Sequence, residues 1–136
     1  MMRLKWLGTS MIAIMLILTG CQGEEGIDTQ EPEDTQEEQI VSIAETFIDL
    51  LNEGNYEDAT EHFDETMAKE LSPSALEEIW VTLQSQVGDY IDKEYKSTEE
   101  ADGYQVVLMT GIFNDADVTF RVTFDDNQKI AGFFVQ

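Results

Sequence analysis

The sequence contains a single cysteine, and Cys21 is the side chain with the most clearly defined chemistry. It directly follows Leu18-Thr19-Gly20, at the end of an apolar run over residues 6–18 that is preceded by Arg3 and Lys5. Small residues at positions 19 and 20 let a peptidase bind the backbone in an extended form. A charged start followed by an apolar run too short for the roughly 20 residues of a spanning helix is typical of a signal peptide.

Residues 18–21 resemble the lipobox of bacterial lipoprotein precursors. The resemblance implies cleavage between Gly20 and Cys21, which makes residues 1–20 the signal peptide, and transfer of a diacylglyceryl group to the Cys21 thiol, with further acylation by a palmitate-like chain. Two or more acyl chains hold a protein stably on a membrane, whereas one does not. We therefore expect a protein anchored on the extracytoplasmic side of the cell membrane. A plain secretory signal and an uncleaved anchor are the alternatives.

The charge of the chain restricts its partners. Its formal net charge is −22, from 29 acidic and 7 basic residues. This argues against nucleic-acid binding, which needs basic side chains, and against electrostatic adhesion to an anionic membrane, which leaves the lipid as the membrane contact. Residues 21–39 are acidic and nearly devoid of apolar side chains, so we predict a disordered tether with ends about 25 Å apart. The folded domain is then expected over residues 40–136.

Other reactive side chains form no recognisable catalytic or metal-binding motif. His62 is predicted to be an exposed helix residue, because the apolar face of that segment carries Ala59, Phe63 and Met67. One histidine and one lipidated cysteine cannot form an ordinary zinc site, and no Gly-x-Ser-x-Gly motif is present. Four acid pairs lack the spacing of a calcium loop, although adventitious calcium stays open: Glu57-Asp58, Glu77-Glu78, Glu99-Glu100 and Asp125-Asp126. We predict no catalytic residue, metal or cofactor.

Three aromatic side chains are candidates for a ligand pocket: Tyr56, Trp80 and Tyr104. Each combines apolar area with a polar tip, which suits ligand contact, although ordinary core packing is an alternative role. Arg121 alternates with apolar residues in its strand and is expected on the exposed face of the sheet. There it would form a cross-strand pair with an acid or bind a carboxylate.

These candidates must be positioned by a small α+β domain. Helical periodicity predicts a first helix from Ile40 to a cap at Gly54 and a third helix that ends at Gly88. The second helix is predicted from Tyr56 to Leu71, with a break near Asp64 as an alternative. A capping box is predicted for the third helix, with Ser74 as the N-cap and Glu77 as its partner. The period then changes to two, which predicts four strands, at residues 90–96, 104–113, 118–124 and 130–135, joined by short turns. Three helices on one face of a four-stranded antiparallel sheet form the expected architecture.

An ordered series of residues in this domain resembles the bacterial domain-of-unknown-function 3887 family. The series is Ala44, Phe47, Leu50-Leu51, Gly54, Tyr56, Ala59, Phe63, Met67, Leu71, Leu76, Trp80, Leu83, Gly88, Tyr104, Val106-Val107, Phe120, Val122, Phe124-Asp125 and Lys129-Ile130-Ala131-Gly132. The resemblance implies a fold similar to the nuclear transport factor two-like, cystatin-like superfamily, in which helices pack into the concave face of a curved sheet and form a cone with a pocket. Family members often precede an α/β-hydrolase domain, which is not carried over here because the Gly-x-Ser-x-Gly motif is missing.

Two classes of function agree with these patterns. The first is a non-enzymatic binding module, held at the membrane, for a small apolar ligand or another envelope protein. The second is a pocketed isomerase or dehydratase, which requires an acid–base residue buried beside Trp80 or Tyr104. A third interpretation makes the domain an accessory to a separate hydrolase. The acids fall mainly on polar helix faces and turns, so we favour binding; the sequence does not indicate an oligomeric state.

Overall fold

The fold was analysed in a computed structural model, which describes residues 33–136. The predicted signal peptide, the Cys21 anchor and tether residues 21–32 lie outside this part of the chain. Within residues 33–136, no helix is long and apolar enough to cross a membrane. The elements are α1 (Glu33–Glu53), α2 (Tyr56–Thr60), α3 (Glu65–Glu70), α4 (Pro73–Val87), β1 (Tyr90–Ala101), β2 (Tyr104–Phe113), β3 (Asp117–Phe124) and β4 (Ile130–Val135).

Helix α1 begins at Glu33, seven residues before the predicted domain boundary at residue 40. The prediction that residues 33–39 belong to a disordered tether is therefore wrong. Acidic residues are favourable in the first turns of a helix, and the buried part of α1 from Ile40 onward nucleates a helix that these residues extend. Two side chains also tie this first part to the sheet region: Glu37 accepts a 2.8 Å hydrogen bond from the Tyr95 hydroxyl, and Gln39 accepts one of 2.6 Å from Gln128.

Helix α1 ends as predicted at Gly54, which has a φ angle of +82°. The amide of Gly54 donates to the Leu51 carbonyl (3.2 Å) and that of Asn55 donates to the Leu50 carbonyl (2.9 Å). These two bonds form a Schellman cap, which needs a left-handed residue at the position of Gly54. The cap turns the chain directly into α2.

The predicted second helix is divided into α2 and α3, so the described residues contain four helices where three were predicted. The break lies at residues 61–64. Asp64 has an extended backbone, and its carboxylate accepts a 2.7 Å hydrogen bond from the Met67 amide, which makes it the N-cap of α3. At the break, the Asp64 amide donates to the Ile130 carbonyl, so the chain pairs with β4 instead of continuing the helix.

Helix α4 begins two residues earlier than the predicted capping box. Ser72 is the N-cap, and its hydroxyl accepts a 3.2 Å bond from the Ala75 amide, while Pro73 occupies the first helical position. Proline is suited to that position because the amide it lacks would have no helical partner. The assignment of Ser74 as the N-cap is therefore wrong.

We expect Ser72→Ala to lower the free energy of unfolding by about 1 kcal/mol, because it leaves an N-terminal amide of α4 without an acceptor. The matched variant Ser74→Ala lies inside the helix and should change stability by less than about 0.5 kcal/mol. Urea unfolding followed by circular dichroism would measure both. Equal effects, or a larger effect of Ser74→Ala, would contradict the assignment.

The four strands form one antiparallel sheet in the order β1-β2-β3-β4, which confirms the predicted meander. Strand β1 is longer than predicted and contains two irregularities in its register with β2, between Tyr90 and Asp92 and between Tyr95 and Ser97. Short links between neighbouring strands permit only antiparallel pairing. The α+β class is therefore confirmed.

The helices and one face of the sheet enclose a single apolar core. Its most completely buried large side chains include Phe47, Ile48, Leu51, Leu76, Phe120, Phe124 and Ile130. Trp80 lies in this core, with its ring centroid 5.6 Å from that of Tyr90, 5.8 Å from Phe113 and 6.1 Å from Phe120. No polar or charged side chain among the described residues is buried. Burial of apolar surface is therefore the main stabilising contribution to this domain.

Candidate binding surface

The sheet has a second face, which lies opposite the apolar core. On β3, the four core side chains alternate with Thr119, Arg121 and Thr123, which consequently lie on the second face. On β2, Val106 and Leu108 belong to the same face, since they are paired with Thr123 and Arg121 and lie outside the core cluster. We call this side of the sheet the open face.

The middle of the open face is protected by an ion pair. The Arg121 guanidinium lies 3.9 Å from the Glu99 carboxylate, and because β2 runs between β3 and β1, the pair extends over β2. Val106 and Leu108, on β2, are only 2% and 7% exposed. The expectation that Arg121 lies on the exposed face and pairs with an acid is confirmed. Half-exposed ion pairs contribute little to stability. The main effect of this pair is therefore to cover the apolar side chains of Val106 and Leu108.

Aromatic side chains are exposed at the β4 end of the open face. Phe134 is 61% exposed and Tyr104 is 43% exposed. Both line a cavity of about 340 Å³, together with Thr123, Gly132, the α3 N-cap Asp64 and the α3 residue Thr66. Two exposed aromatic side chains beside a depression are typical of a binding surface.

A second apolar depression lies on the helix side of the same strand. Val135 pairs with the core residue Phe120 across the ladder, and its side chain therefore lies on the helix face. It lines a cavity of about 490 Å³ with Ile79 and Leu83 of α4. Strand β4 thus has an apolar depression on each face, and we call the residues Ile79, Leu83, Tyr104, Phe134 and Val135 the β4 surface.

The three aromatic residues predicted to line one pocket lie in different places. Trp80 is 2% exposed and packs in the core, whereas Tyr104 lies on the opposite side of the sheet. Tyr56 is half-buried and lines a cavity of about 480 Å³ between the start of α2 and α4, where burial and, secondarily, the charge of Glu77 raise the pKa of its phenol. The sheet separates Trp80 from Tyr104, so these two cannot contact one ligand in a common pocket.

The single histidine differs from its predicted environment. His62 lies in the turn between α2 and α3 and is half-buried, not exposed on a helix. Burial, followed by the charge of Lys129, lowers the pKa of the imidazole, while Glu61 acts in the opposite direction. Its backbone carbonyl accepts a 2.7 Å bond from the Ile130 amide, which anchors the start of β4. Its main-chain role is therefore to connect the helices to the sheet edge.

One of the acid pairs, Asp125-Asp126, lies in the turn between β3 and β4. Asp125 accepts hydrogen bonds from the amides of Asn127 and Lys129, both 2.9 Å, and so shapes the turn between β3 and β4. Within residues 33–136, no group of three or more His, Cys, Asp or Glu side chains is arranged to hold a metal ion.

Among the described residues, the phenol of Tyr90 has the largest pKa shift. Burial against Trp80 and Phe113, with the charges of Asp49 and Asp92 adding to it, raises the pKa of Tyr90 from 10.0 to about 12. The folded protein therefore retains this proton at a pH at which the unfolded chain has lost it. We expect the contribution to stability to be complete below pH 10 and to be lost as the pH rises from 10 to 12.

This pH dependence is measurable by comparing wild type with Tyr90→Phe. Urea unfolding at pH 9 and pH 11 should show a smaller loss of stability in the variant, which has no phenol to ionise. Absorbance at 295 nm should show one tyrosine fewer titrating at high pH. An unchanged loss of stability in Tyr90→Phe would contradict the assignment to Tyr90.

Comparison with known protein families agrees with the core pattern. A family model described as "Protein of unknown function (DUF3887)" matches residues 44–133. The chain belongs to this family. The matched residues extend from the middle of α1 into β4, and so contain α2, α3, α4, the strands β1, β2 and β3, and the first four residues of β4. No curated protein and no solved structure gave a match in the corresponding comparisons.

Sequence reasoning missed Phe134, Val135 and Ile79 as surface residues. A signal for Phe134 was present: Phe133 and Phe134 are adjacent in a strand, and neighbouring side chains point to opposite faces. Since Phe133 packs in the core, with its ring 5.0 Å from Phe47, Phe134 must lie on the other face. The exposure of Ile79 depends on how α4 packs against β4. The spacing of apolar residues within α4 does not predict this packing.

Proposed function

We propose that this protein is a lipoprotein, anchored through Cys21 on the extracytoplasmic side of the cell membrane, whose domain binds a ligand or an envelope protein at the β4 surface. The observation that carries this proposal is the 61% exposure of Phe134 beside Tyr104 at a cavity on the open face. Keeping such an aromatic ring in water is unfavourable unless a partner covers it. The lipid anchor would keep the binding surface close to the membrane.

The enzyme alternative requires an acid–base residue in an apolar pocket. In the described domain, the buried side chains are all apolar, and Trp80 is surrounded by aromatic rings. An enzyme of this kind would need a carboxyl group beside those rings. Burial would raise the pKa of that group and make it a general acid or base at neutral pH. The arrangement therefore favours binding over an isomerase or dehydratase.

For the fold, we propose the cystatin-like, nuclear transport factor two-like cone. Support comes from the order of helices followed by a four-stranded antiparallel meander, with the helices packed on one face of the sheet. In this protein the helix side is occupied by Trp80 and its aromatic neighbours, which fill the position of an internal pocket. This filling supports placing the binding surface at β4.

The anchor is tested by Cys21→Ser in cells supplied with a labelled fatty acid. We expect the variant to carry no label and to leave the membrane fraction, because it has no thiol for the lipid and acyl chains are needed for stable attachment. The matched variant Gln22→Ala keeps the thiol and should be labelled and sediment like wild type. Label on Cys21→Ser would overturn the lipobox assignment.

The binding surface is tested by photo-crosslinking in intact membranes. A photoreactive amino acid placed at Phe134 of the full chain should give a defined cross-linked product. The same group placed at Ile91 is the matched control, because Ile91 is similarly exposed at 58% but lies on β1 at the far edge of the sheet. Cross-linking that is absent at both positions, or equal at both, would overturn the assignment to β4.

A further inference from the structure

The outer backbone edge of β4 is available for strand pairing among the described residues. Thr119 and Gln136 exchange two hydrogen bonds, of 2.7 and 2.9 Å, across the β3–β4 ladder. In an antiparallel ladder the direction of the backbone groups alternates, so the amides and carbonyls of Phe133 and Val135 point away from β3. Within residues 33–136, backbone pairing on that outer side is formed by Ile130 with residues 62 and 64, and no described bond reaches the rest of the strand.

The two edges of the sheet differ in how they are protected. Strand β1 carries several charged residues, among them Asp92, Lys93 and Glu94, and two register irregularities, which are devices that discourage pairing with another chain. Strand β4, with the sequence Ile-Ala-Gly-Phe-Phe-Val, has no charge and no proline. An apolar edge without such protection is suited to accept another strand.

The two cavities of the β4 surface lie where a new strand would need them. Successive side chains of a strand point to opposite faces of the sheet. A strand added beside β4 would direct alternate side chains toward Phe134 and Tyr104 on the open face, and the others toward Ile79, Leu83 and Val135 on the helix side. Backbone bonds would then supply affinity and the two cavities would supply side-chain selection, as in known strand-addition complexes.

Charge distinguishes between the candidate strands. A second copy of this chain carries the same net charge of −22, and residues 22–32 are acidic, so both would be repelled. An acidic side chain lines each cavity, Asp64 on the open face and Glu78 on the helix side. These charges favour a segment with basic residues beside its apolar ones.

We propose that β4 binds an extended segment of a partner protein as a fifth strand, and that this segment has alternating apolar side chains flanked by lysine or arginine. The inference rests on the proposed function of the β4 surface and specifies how that surface recognises its partner. It requires the outward amides and carbonyls of Phe133 and Val135 in addition to the side chains.

The first test uses a fluorescently labelled peptide, Lys-Lys-Val-Phe-Val-Phe-Lys-Lys, and the full lipidated chain in phosphatidylcholine nanodiscs. We expect saturable binding by fluorescence anisotropy, and slower hydrogen exchange of residues 130–136 in the complex. The same peptide with its four central amides N-methylated keeps every side chain and loses the backbone donors, so it should bind at least tenfold more weakly. A peptide with glutamates in place of the lysines should also bind at least tenfold more weakly.

The second test changes the protein. Val135→Pro removes the outward amide without removing an amide that donates to β3, and should weaken peptide binding at least tenfold. Val135→Ala shortens the same cavity-lining side chain but keeps the amide, so it should weaken peptide binding clearly less than Val135→Pro does. Thermal unfolding of both variants shows whether they are folded. If Val135→Pro does not fold, the N-methylated peptide on the wild-type protein decides the question.

Several results would overturn strand addition. Equal binding of the N-methylated peptide would show docking by side chains alone. Protection of residues 90–101 instead of 130–136 would place the strand at β1. If dimers form with rising concentration and slow hydrogen exchange of residues 130–136 without peptide, a second copy of the chain occupies the edge of β4. If residues 22–32 exchange faster in Val135→Pro than in wild type, the tether occupies that edge. Absence of peptide binding combined with cross-linking at position 134 would remove strand addition and leave the proposed function standing.

Discussion

Trp80→Ala is expected to lower the free energy of unfolding by about 4 kcal/mol, the typical cost of truncating a buried aromatic residue. Its side chain is 2% exposed and lies between the rings of Tyr90, Phe113 and Phe120. Truncation therefore removes apolar burial and three aromatic contacts together, and leaves a cavity at the junction of α4 with the sheet. Since small domains have a total stability of about 5–15 kcal/mol, the variant should be close to unfolding.

Urea unfolding followed by circular dichroism at 222 nm would measure this effect. Val81→Ala is the matched control, because Val81 is the next residue in α4 and is 55% exposed. It should change stability by less than about 0.5 kcal/mol. A cost below about 1.5 kcal/mol for Trp80→Ala would mean that the core is open around the indole, and would restore the pocket predicted at that position.

Gly111→Ala is expected to destabilise the domain by about 3 kcal/mol, at the upper end of the usual cost of overpacking. A Cβ atom at this position would overlap Cε2 of the Phe120 ring and lie 2.8 Å from Cζ of the same ring. The ring cannot move away freely, because Phe120 is fully buried and packs against Trp80, Phe113 and Phe133. Glycine at position 111 is thus required by the close approach of an aromatic ring.

Gly132→Ala is the matched control for a glycine in a strand. A Cβ atom at position 132 would lie 3.4 Å from the side chains of Phe134 and Thr123. A small shift of those side chains would accommodate it. We expect a change of less than about 1 kcal/mol, measured by the same urea titration. The double variant Gly111→Ala with Phe120→Leu gives a second check: if the clash is the cause, the two effects should be clearly less than additive.

The strands were easier to predict than the helix boundaries, and the reason is local. The alternation Val118, Phe120, Val122, Phe124 predicts a strand with one buried face, and this strand was found. The start of α1 was predicted incorrectly because residues 33–39 show no apolar stripe. They are helical because they continue a helix whose later turns are buried, and because Glu37 and Gln39 contact residues far along the chain.

The candidate site was less predictable than the fold. Tyr56, Trp80 and Tyr104 were grouped because tyrosine and tryptophan suit ligand contact, a property of residue types that contains no information on position. Arg121 was placed correctly because it alternates with buried residues within one strand. Phe134 could have been recognised by the same rule, applied to its neighbour Phe133.

The sequence by itself determined the acidic character, the family membership and the order of helices and strands, because these depend on composition and on periodicity within single segments. The anchor at Cys21 is a prediction from the sequence. Tertiary structure alone decided that Trp80 fills the core while Tyr104 and Phe134 lie exposed on the other face. It also decided that β4 is a sheet edge with an apolar depression on each side. The physical reason is that exposure of a side chain depends on which distant segments pack against it, and the spacing of residues within one segment does not specify those contacts.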